Sequence, residues 1–166
     1  MKKNKINIGI IGFGKTGKER LKILKKNNTA NIVSICDKNL SEKKINGIFY
    51  TPNANKIFKN KKIDAVFIAV PNYLNKKFVK NCLQNNKHVF CEKPPTLNSK
   101  EMKEVILVEK KTNLKLMYGF NHRHHESVKE MKKIIDNKEL GKILWLRGRY
   151  GKSVDKNFFD TWRSKK

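Results

Sequence analysis

The chain has 166 residues, 38% of them hydrophobic, which is enough for one complete domain and the beginning of a second and excludes a largely disordered protein. Its three cysteines are scattered along the chain, so the composition indicates neither a disulfide framework nor a zinc site. The formal net charge is +25, but only five of the 39 basic residues are arginines, so a solvated lysine surface is favoured over a nucleic-acid-binding patch.

The first apolar run, Ile6 to Ile11, reads as a buried strand that is too short for a signal peptide. No run approaches the roughly 20 residues of a membrane span, so we expect a cytoplasmic protein that binds no membrane. Further strands are predicted at Asn31 to Cys36, Gly47 to Thr51, Ile63 to Val70, His88 to Cys91 and Leu114 to Phe120. Helical segments are predicted at Lys18 to Asn27, Ser41 to Ile45, a turn from Asn53 or Asn55, Asn75 to Asn85, Asn98 or Ser99 to Glu109, and Val128 to Asn137. This alternation predicts an α/β fold with a parallel sheet.

The pattern changes after Gly141. Ile143 to Tyr150 alternates like a strand, and the polar segment from Gly151 to Lys166 shows no periodicity. One strand and a tail cannot bury a core of their own, so we predict two regions. Residues 1–121 form the first domain, and residues 122–166 begin a second, α+β domain that is incomplete in this chain.

A glycine-rich turn follows the first strand and consists of Gly12, Phe13, Gly14, Lys15, Thr16 and Gly17. A Gly-x-Gly-x-x-Gly turn between a strand and a helix is typical of a Rossmann-type doubly wound sheet, in which the helix N-terminus holds a pyrophosphate. Asp37 ends the second strand, where its carboxylate can accept hydrogen bonds from ribose hydroxyls and would repel a 2′-phosphate. The sequence therefore predicts NAD binding, with NADP less favoured and Lys38 moderating the preference.

Two other loops follow the carboxyl ends of predicted strands, where open α/β sheets bind ligands. One contains Val70, Pro71 and Asn72, and the other contains Glu92 and Lys93. The charged pair is expected either to face a cleft or to form a salt bridge at the strand end. The histidines at 122, 124 and 125 have no acidic or cysteine ligand at a suitable spacing nearby, so no metal site is predicted.

Several motifs together resemble the N-terminal part of the glucose–fructose oxidoreductase, inositol dehydrogenase and MocA family (Gfo/Idh/MocA). In chain order they are Gly12-x-Gly-x-x-Gly17, Ala69-Val-Pro-Asn72, His88-Val-Phe-Cys-Glu-Lys-Pro94 and Gly119-Phe-Asn-His-Arg123. Gly141-Lys-Ile143 and Trp162-Arg163 extend the resemblance over essentially the whole chain, and the Glu-Lys-Pro element is its most distinctive mark. Asn75 stands where the family usually has a histidine.

The resemblance implies hydride transfer between a nicotinamide cofactor and the hydroxyl of a sugar or sugar nucleotide. It implies that Lys93 is catalytic, with its pKa lowered by burial, and that Glu92 orients or balances it. It places Asn121 at the cofactor and Arg123, Trp162 and Arg163 at the substrate. The region from Gly148 to Lys152 resembles members that act on surface-polysaccharide precursors.

Three functions remain open from the sequence. The first is the N-terminal part of such a dehydrogenase, inactive by itself and completed by a homo-oligomer or a complementing C-terminal chain. The second is a non-catalytic dinucleotide-binding module from a truncated or split gene. The third, a basic nucleic-acid-binding protein, rests on net charge alone.

Overall fold

The computed structural model describes residues 5–149, 151, 153 and 159. In this part of the chain the strands are β1 (Ile6–Ile11), β2 (Ala30–Cys36), β3 (Lys43–Ile45), β4 (Ile48–Thr51), β5 (Ala65–Ile68), β6 (His88–Cys91) and β7 (Leu116–Tyr118). The α-helices are α1 (Lys15–Lys25), α2 (Asn55–Phe58), α3 (Asn72–Gln84), α4 (Ser99–Glu109) and α5 (Glu126–Asp136), and a 3-10 helix spans Asn121–His124. No helix among these residues is long and apolar enough to cross a bilayer.

The strands form one sheet in the order β3-β4-β2-β1-β5-β6-β7. β3 pairs antiparallel with β4, and the other neighbouring strands run parallel. The chain adds β2 on one side of β1 and β5 on the other, so the winding direction reverses at β1. This confirms the predicted Rossmann-type doubly wound sheet, and it brings the loops after β1, β2, β5 and β6 to one edge.

Both faces of the sheet are covered, which explains why β1 is apolar at successive positions. Ile8 and Ile10 pack with Leu24 of α1 on one face, whereas Ile11 belongs to the cluster on the other face with Val79 of α3. Ile10, Ile11 and Val79 are almost completely buried. The core thus fixes β1, and with it the turn at its carboxyl end, from both sides.

The helix predicted at Ser41 to Ile45 is wrong. Lys43–Ile45 is instead strand β3, which forms a hairpin with β4 through Asn46 and Gly47. Both turn residues have positive φ, 49° and 81°, as a two-residue Asn-Gly hairpin turn requires. The Asn-Gly pair is a sequence signal for this hairpin, and it outweighs the weak helical pattern of four polar residues.

The described chain separates into two units, Met1–Gly119 and Phe120–Lys166. The first contains the whole sheet. In the second, the 3-10 helix precedes α5, and residues 142–149 have no regular secondary structure where a strand was expected. A strand needs a hydrogen-bonding partner, and none of the described residues pairs with this segment. Its apolar side chains are exposed, Leu144 to 85% and Trp145 to 76%.

Candidate functional site

The turn between β1 and α1 is built so that only its middle glycine is open. Gly12 has φ +90°, and a Cβ there would lie 2.3 Å from the carbonyl oxygen of Ala69. A Cβ at Gly17 would lie 1.9 Å from the carbonyl oxygen of Gly12. At Gly14, by contrast, a Cβ would meet no atom within 4 Å. The two outer glycines therefore let strand, turn and helix approach closely, and Gly14 leaves room for a ligand against the backbone.

The N-terminus of α1 combines uncapped backbone N–H groups with lysine side chains. Gly14 is its N-cap and supplies no side chain to bind the first backbone N–H groups, and the first turn contains no acidic residue. Lys15 is the first helical residue and Lys18 lies one turn later, both exposed. Lysines at this end oppose the helix dipole, but together with the free N–H groups they attract an anion such as a pyrophosphate.

Asp37 is tied to the glycine turn. One carboxylate oxygen, Oδ2, accepts the backbone N–H of Phe13 at 2.7 Å, and Oδ1 accepts the N–H of Asn39 at 3.0 Å. The Gly12 N–H donates to the carbonyl of Cys36 at 2.8 Å, so the ends of β1 and β2 are joined. A carboxylate has about four acceptor positions, so two remain for ligand hydroxyls. Lys38, next along the chain, is exposed.

The loop after β5 lies against the same turn. Ala69 donates its N–H to the carbonyl of Ile11 at 2.8 Å, and Val70 Cγ1 would be 3.0 Å from a Cβ on Gly12. Pro71 is the N-cap of α3, and Asn72 is the first residue of that helix. Val70, Pro71 and Asn72 are all half-buried, and their role at the cofactor stays a prediction.

The backbone on both sides of Lys93 is held by Asn75. This asparagine is 1% exposed, and its Nδ2 donates to the carbonyl of Pro94 at 2.7 Å and to that of Glu92 at 3.3 Å. Its Oδ1 is buried with no hydrogen-bond partner among the described residues. The Lys93–Pro94 peptide bond is cis. Asn75, which the sequence marked only as a departure from the family pattern, therefore fixes the shape of this loop.

Among the described residues, Glu92 and Lys93 form no ion pair with each other. Glu92 is bound instead by Arg20 of α1, whose Nε donates to Oε1 at 2.8 Å and whose Nη2 contacts the same oxygen. Glu92 therefore forms a salt bridge at the end of its strand, and its partner Arg20 is 72 residues away in the sequence. Lys93 is exposed rather than buried, because the backbone of its loop, not its side chain, faces the core.

The sequence of residues 6–120 matches the model of an oxidoreductase family with an NAD-binding Rossmann fold. The chain belongs to the Gfo/Idh/MocA family. The resemblance inferred from the motifs is thereby confirmed, and this region of the family is its NAD-binding part.

Relatives of this Gfo/Idh/MocA chain include dehydrogenases of polyols and sugars. Myo-inositol 2-dehydrogenase of Thermotoga maritima is 30% identical over 149 residues, which are 86% of this chain and 44% of that protein. Glucose-6-phosphate 3-dehydrogenase of Bacillus subtilis is 30% identical over 164 residues, 94% of this chain and 45% of that one. The crystal structure of scyllo-inositol dehydrogenase from Lactobacillus casei with bound NAD(H) and scyllo-inositol has a TM-score of 0.72 at 26% identity, covering 83% and 43%. The chain thus spans less than half the length of these relatives.

Of the remaining predicted residues, two belong to the second unit and two are outside the described part of the chain. Asn121 and Arg123 are exposed in the 3-10 helix of the second unit, and their roles stay predictions. Trp162 and Arg163 lie outside the described residues, as do Tyr150 and Lys152. Among the described residues, no three His, Cys, Asp or Glu side chains are grouped as metal ligands.

The three cysteines are buried and are not nucleophiles. Burial raises the pKa of the Cys36 thiol to about 11, and the neighbouring Asp37 carboxylate adds to the rise. Burial likewise raises the pKa of Cys82 to about 12 and that of Cys91, which precedes Glu92, above its ordinary value. Because the thiolate is the reactive form, all three remain protonated thiols near neutral pH.

Proposed function

We propose that the protein uses NAD to oxidise or reduce a hydroxyl-bearing carbon of a sugar or sugar nucleotide, and that this chain supplies the NAD-binding half. The observation that carries the proposal is the hydrogen bond from the backbone N–H of Phe13, in the glycine turn, to the Asp37 carboxylate. It fixes a carboxylate with two free acceptor positions at the end of β2, beside an open helix N-terminus. The dehydrogenases among the relatives support the choice of a polyol or sugar hydroxyl.

Each part of the dinucleotide has a chemical counterpart in this edge of the sheet. The backbone at Phe13 to Gly17 with Lys15 and Thr16 would hold the pyrophosphate, and Asp37 would accept the hydroxyls of the adenosine ribose. A carboxylate at that position disfavours a 2′-phosphate, so NAD is preferred over NADP. Val70, Pro71, Asn72 and Glu92 border the remaining part of the site, and Asn121 is proposed to complete it.

Lys93 is proposed to act on the reacting hydroxyl. When bound, the nicotinamide supplies the group that accepts or returns a hydride. The Lys93 ammonium can stabilise a developing alkoxide oxygen or exchange a proton with it, and the fixed backbone of the loop keeps its Cα in place. Arg123, Trp162 and Arg163 are the proposed contacts to the sugar. Arrangement as a homo-oligomer or with a complementing chain, and a cytoplasmic location, are part of the same proposal.

Fluorescence titration of the chain with NADH and NADPH tests this function. We expect tighter binding of NADH, and we expect Asp37→Ala to weaken NADH by about 1–2 kcal/mol, the scale of a lost hydrogen bond to a charged group. The same substitution should narrow the preference between the cofactors. Lys38→Ala, one position away on an exposed side chain, is the matched control and should retain the preference for NADH. Equal affinities in the wild type would reject the role of Asp37.

A second candidate is a dinucleotide-binding module without catalysis, because the open glycine turn and Asp37 are features of a dinucleotide site whereas the side chain of Lys93 is exposed. Both functions require NADH binding, so turnover separates them. The assay measures NADH production from sugars or polyols by the homo-oligomer or by the complex with a complementing chain. Production that is lost in the Lys93→Ala variant supports the dehydrogenase. NADH binding without turnover, in the homo-oligomer and in the complex alike, supports the non-catalytic dinucleotide-binding module.

A further inference from the structure

The ion pair between Arg20 and Glu92 is the least exposed of those that the described residues form. Its two side chains are 20% and 14% exposed, compared with 30% and 21% for the next pair, Lys76 with Glu101. The guanidinium also lies over the ring of Phe90, with Cζ 5.2 Å from the ring centroid. A planar, charged group held by a carboxylate and an aromatic face has little freedom to move.

The carboxylate is confined on its other side by the end of β7. A Cβ on Gly119 would lie 2.9 Å from Oε2 of Glu92, so only glycine leaves the observed position free. The backbone of the loop is held as well, because Asn75 donates to the carbonyls on both sides of Lys93. The loop that carries Lys93 is therefore fixed by α1 through Arg20, by α3 through Asn75 and by the end of β7.

Arg20 joins this loop to the helix whose first turn faces the proposed pyrophosphate. It lies six residues after the N-cap Gly14, which is roughly 9 Å along the axis at 1.5 Å per residue. At that position the guanidinium of Arg20 is held by Glu92 and by the ring of Phe90. α1 thus contacts both the open turn and the loop after β6.

We propose that Arg20 is a positioning residue: through Glu92 it holds the Lys93 loop where the nicotinamide end of the dinucleotide binds. This inference rests on the proposed function. It requires that loss of Arg20 lower the affinity for ligands that contain nicotinamide. The affinity for ligands that end at the second ribose should not change. A salt bridge that serves only folding would not discriminate between such ligands.

The test compares NADH with ADP-ribose, which has the same ADP end but no nicotinamide, on the 166-residue chain. NADH binding is followed by fluorescence and ADP-ribose binding by calorimetry, and thermal melts report folding. For Arg20→Gln we expect the affinity for NADH to fall about tenfold, the scale of a lost charge-assisted hydrogen bond. The affinity for ADP-ribose should change less than twofold. Glu92→Gln should give the same pattern, and the double variant should be no worse than either single variant.

Two further variants separate positioning from folding. Arg20→Lys keeps the charge but loses the two-nitrogen contact and is expected to restore part of the NADH affinity. Lys80→Gln removes the ion pair with Glu104, which joins α3 to α4, and should leave both ligands unaffected. Equal weakening of NADH and ADP-ribose, or additive losses in the double variant, would overturn the inference. If the wild type binds neither ligand, the proposed function itself fails, and that result is distinct from a wild type that binds both.

Discussion

In the glycine turn, two alanine substitutions only three residues apart are expected to have different effects on stability. Gly17→Ala places a Cβ 1.9 Å from the Gly12 carbonyl oxygen, whereas Gly14→Ala places one in open space. Both atoms that lie within 3.0 Å of this Cβ belong to the backbone of Gly12, so no side-chain rotation can relieve the overlap. α1 would have to move from the end of β1 by about 1 Å to reach even the shortest tolerated separation of 3.0 Å.

The expected magnitudes follow from these distances. Overpacking of a dense core lowers the free energy of unfolding by roughly 1–3 kcal/mol and sometimes more. An overlap with backbone atoms is expected to cost the upper part of that range. Alanine recovers up to about 1 kcal/mol through its higher helix propensity, so we expect Gly17→Ala to lower the free energy of unfolding by about 2 kcal/mol. Gly14 has φ −71° and ψ −163°, which any residue adopts, so its substitution should cost below about 1 kcal/mol.

Urea unfolding followed by circular dichroism measures both effects, and NADH titration measures function. Gly14→Ala and the larger Gly14→Val should unfold close to the wild type, but the valine variant should lose NADH binding because its side chain occupies the proposed pyrophosphate position. Gly17→Ala should unfold at lower urea. If Gly17→Ala is as stable as the wild type, the close approach of helix and turn is not a constraint. If Gly14→Val binds NADH normally, the pyrophosphate lies elsewhere.

Three other outcomes can be measured on the same chain. Asn75→Asp replaces a donor to two carbonyls by a buried carboxyl group, so it should lower the free energy of unfolding by roughly 2–4 kcal/mol at pH 8. Because burial raises the pKa of such a carboxyl group in the folded state, the loss should shrink as the pH falls towards about 4, and a loss independent of pH between 5 and 8 would contradict this. The three buried thiols should resist a thiol reagent at pH 8 and react once urea unfolds the chain; reaction of Cys82 in the folded state would show that its raised pKa and burial are wrong. The chain alone should show no dehydrogenase activity with sugars, since missing orientation of the second reactant can raise the barrier by roughly 7–11 kcal/mol, and turnover that depends on Lys93 would refute this.

The fold could be predicted where one sequence pattern left a single interpretation. The run from Ile6 to Ile11 followed by the Gly12–Gly17 turn fixed the first strand, the first helix and the edge of the sheet that bears the site. The region from Ser41 to Gly47 was ambiguous, because three residues of β3 carry too little periodicity to distinguish a strand from a helix. There the Asn46-Gly47 turn was the stronger signal.

The contacts around Lys93 could not be predicted from local patterns. Arg20 sits among lysines on α1, and nothing in that segment indicates a carboxylate partner 72 residues away. The charge of Glu92 suggested a neighbour, and Lys93 was the nearest candidate in sequence, but the sheet order brings α1 to that strand end instead. Asn75 appeared as a substitution in a motif, and its two backbone contacts exist only once α3 packs against the loop.

The hairpin strand β3 shows one structural use of the large lysine content. It is the outermost strand on its side of the sheet, and all three of its residues are exposed. An unprotected edge strand can recruit the edge of another molecule, which leads to aggregation. Lys43 and Lys44 are consecutive on this edge and project to opposite faces of the sheet, so a second copy that paired there would place lysines of the two copies near one another. Like-charge repulsion at this edge therefore favours separate molecules over edge-to-edge association.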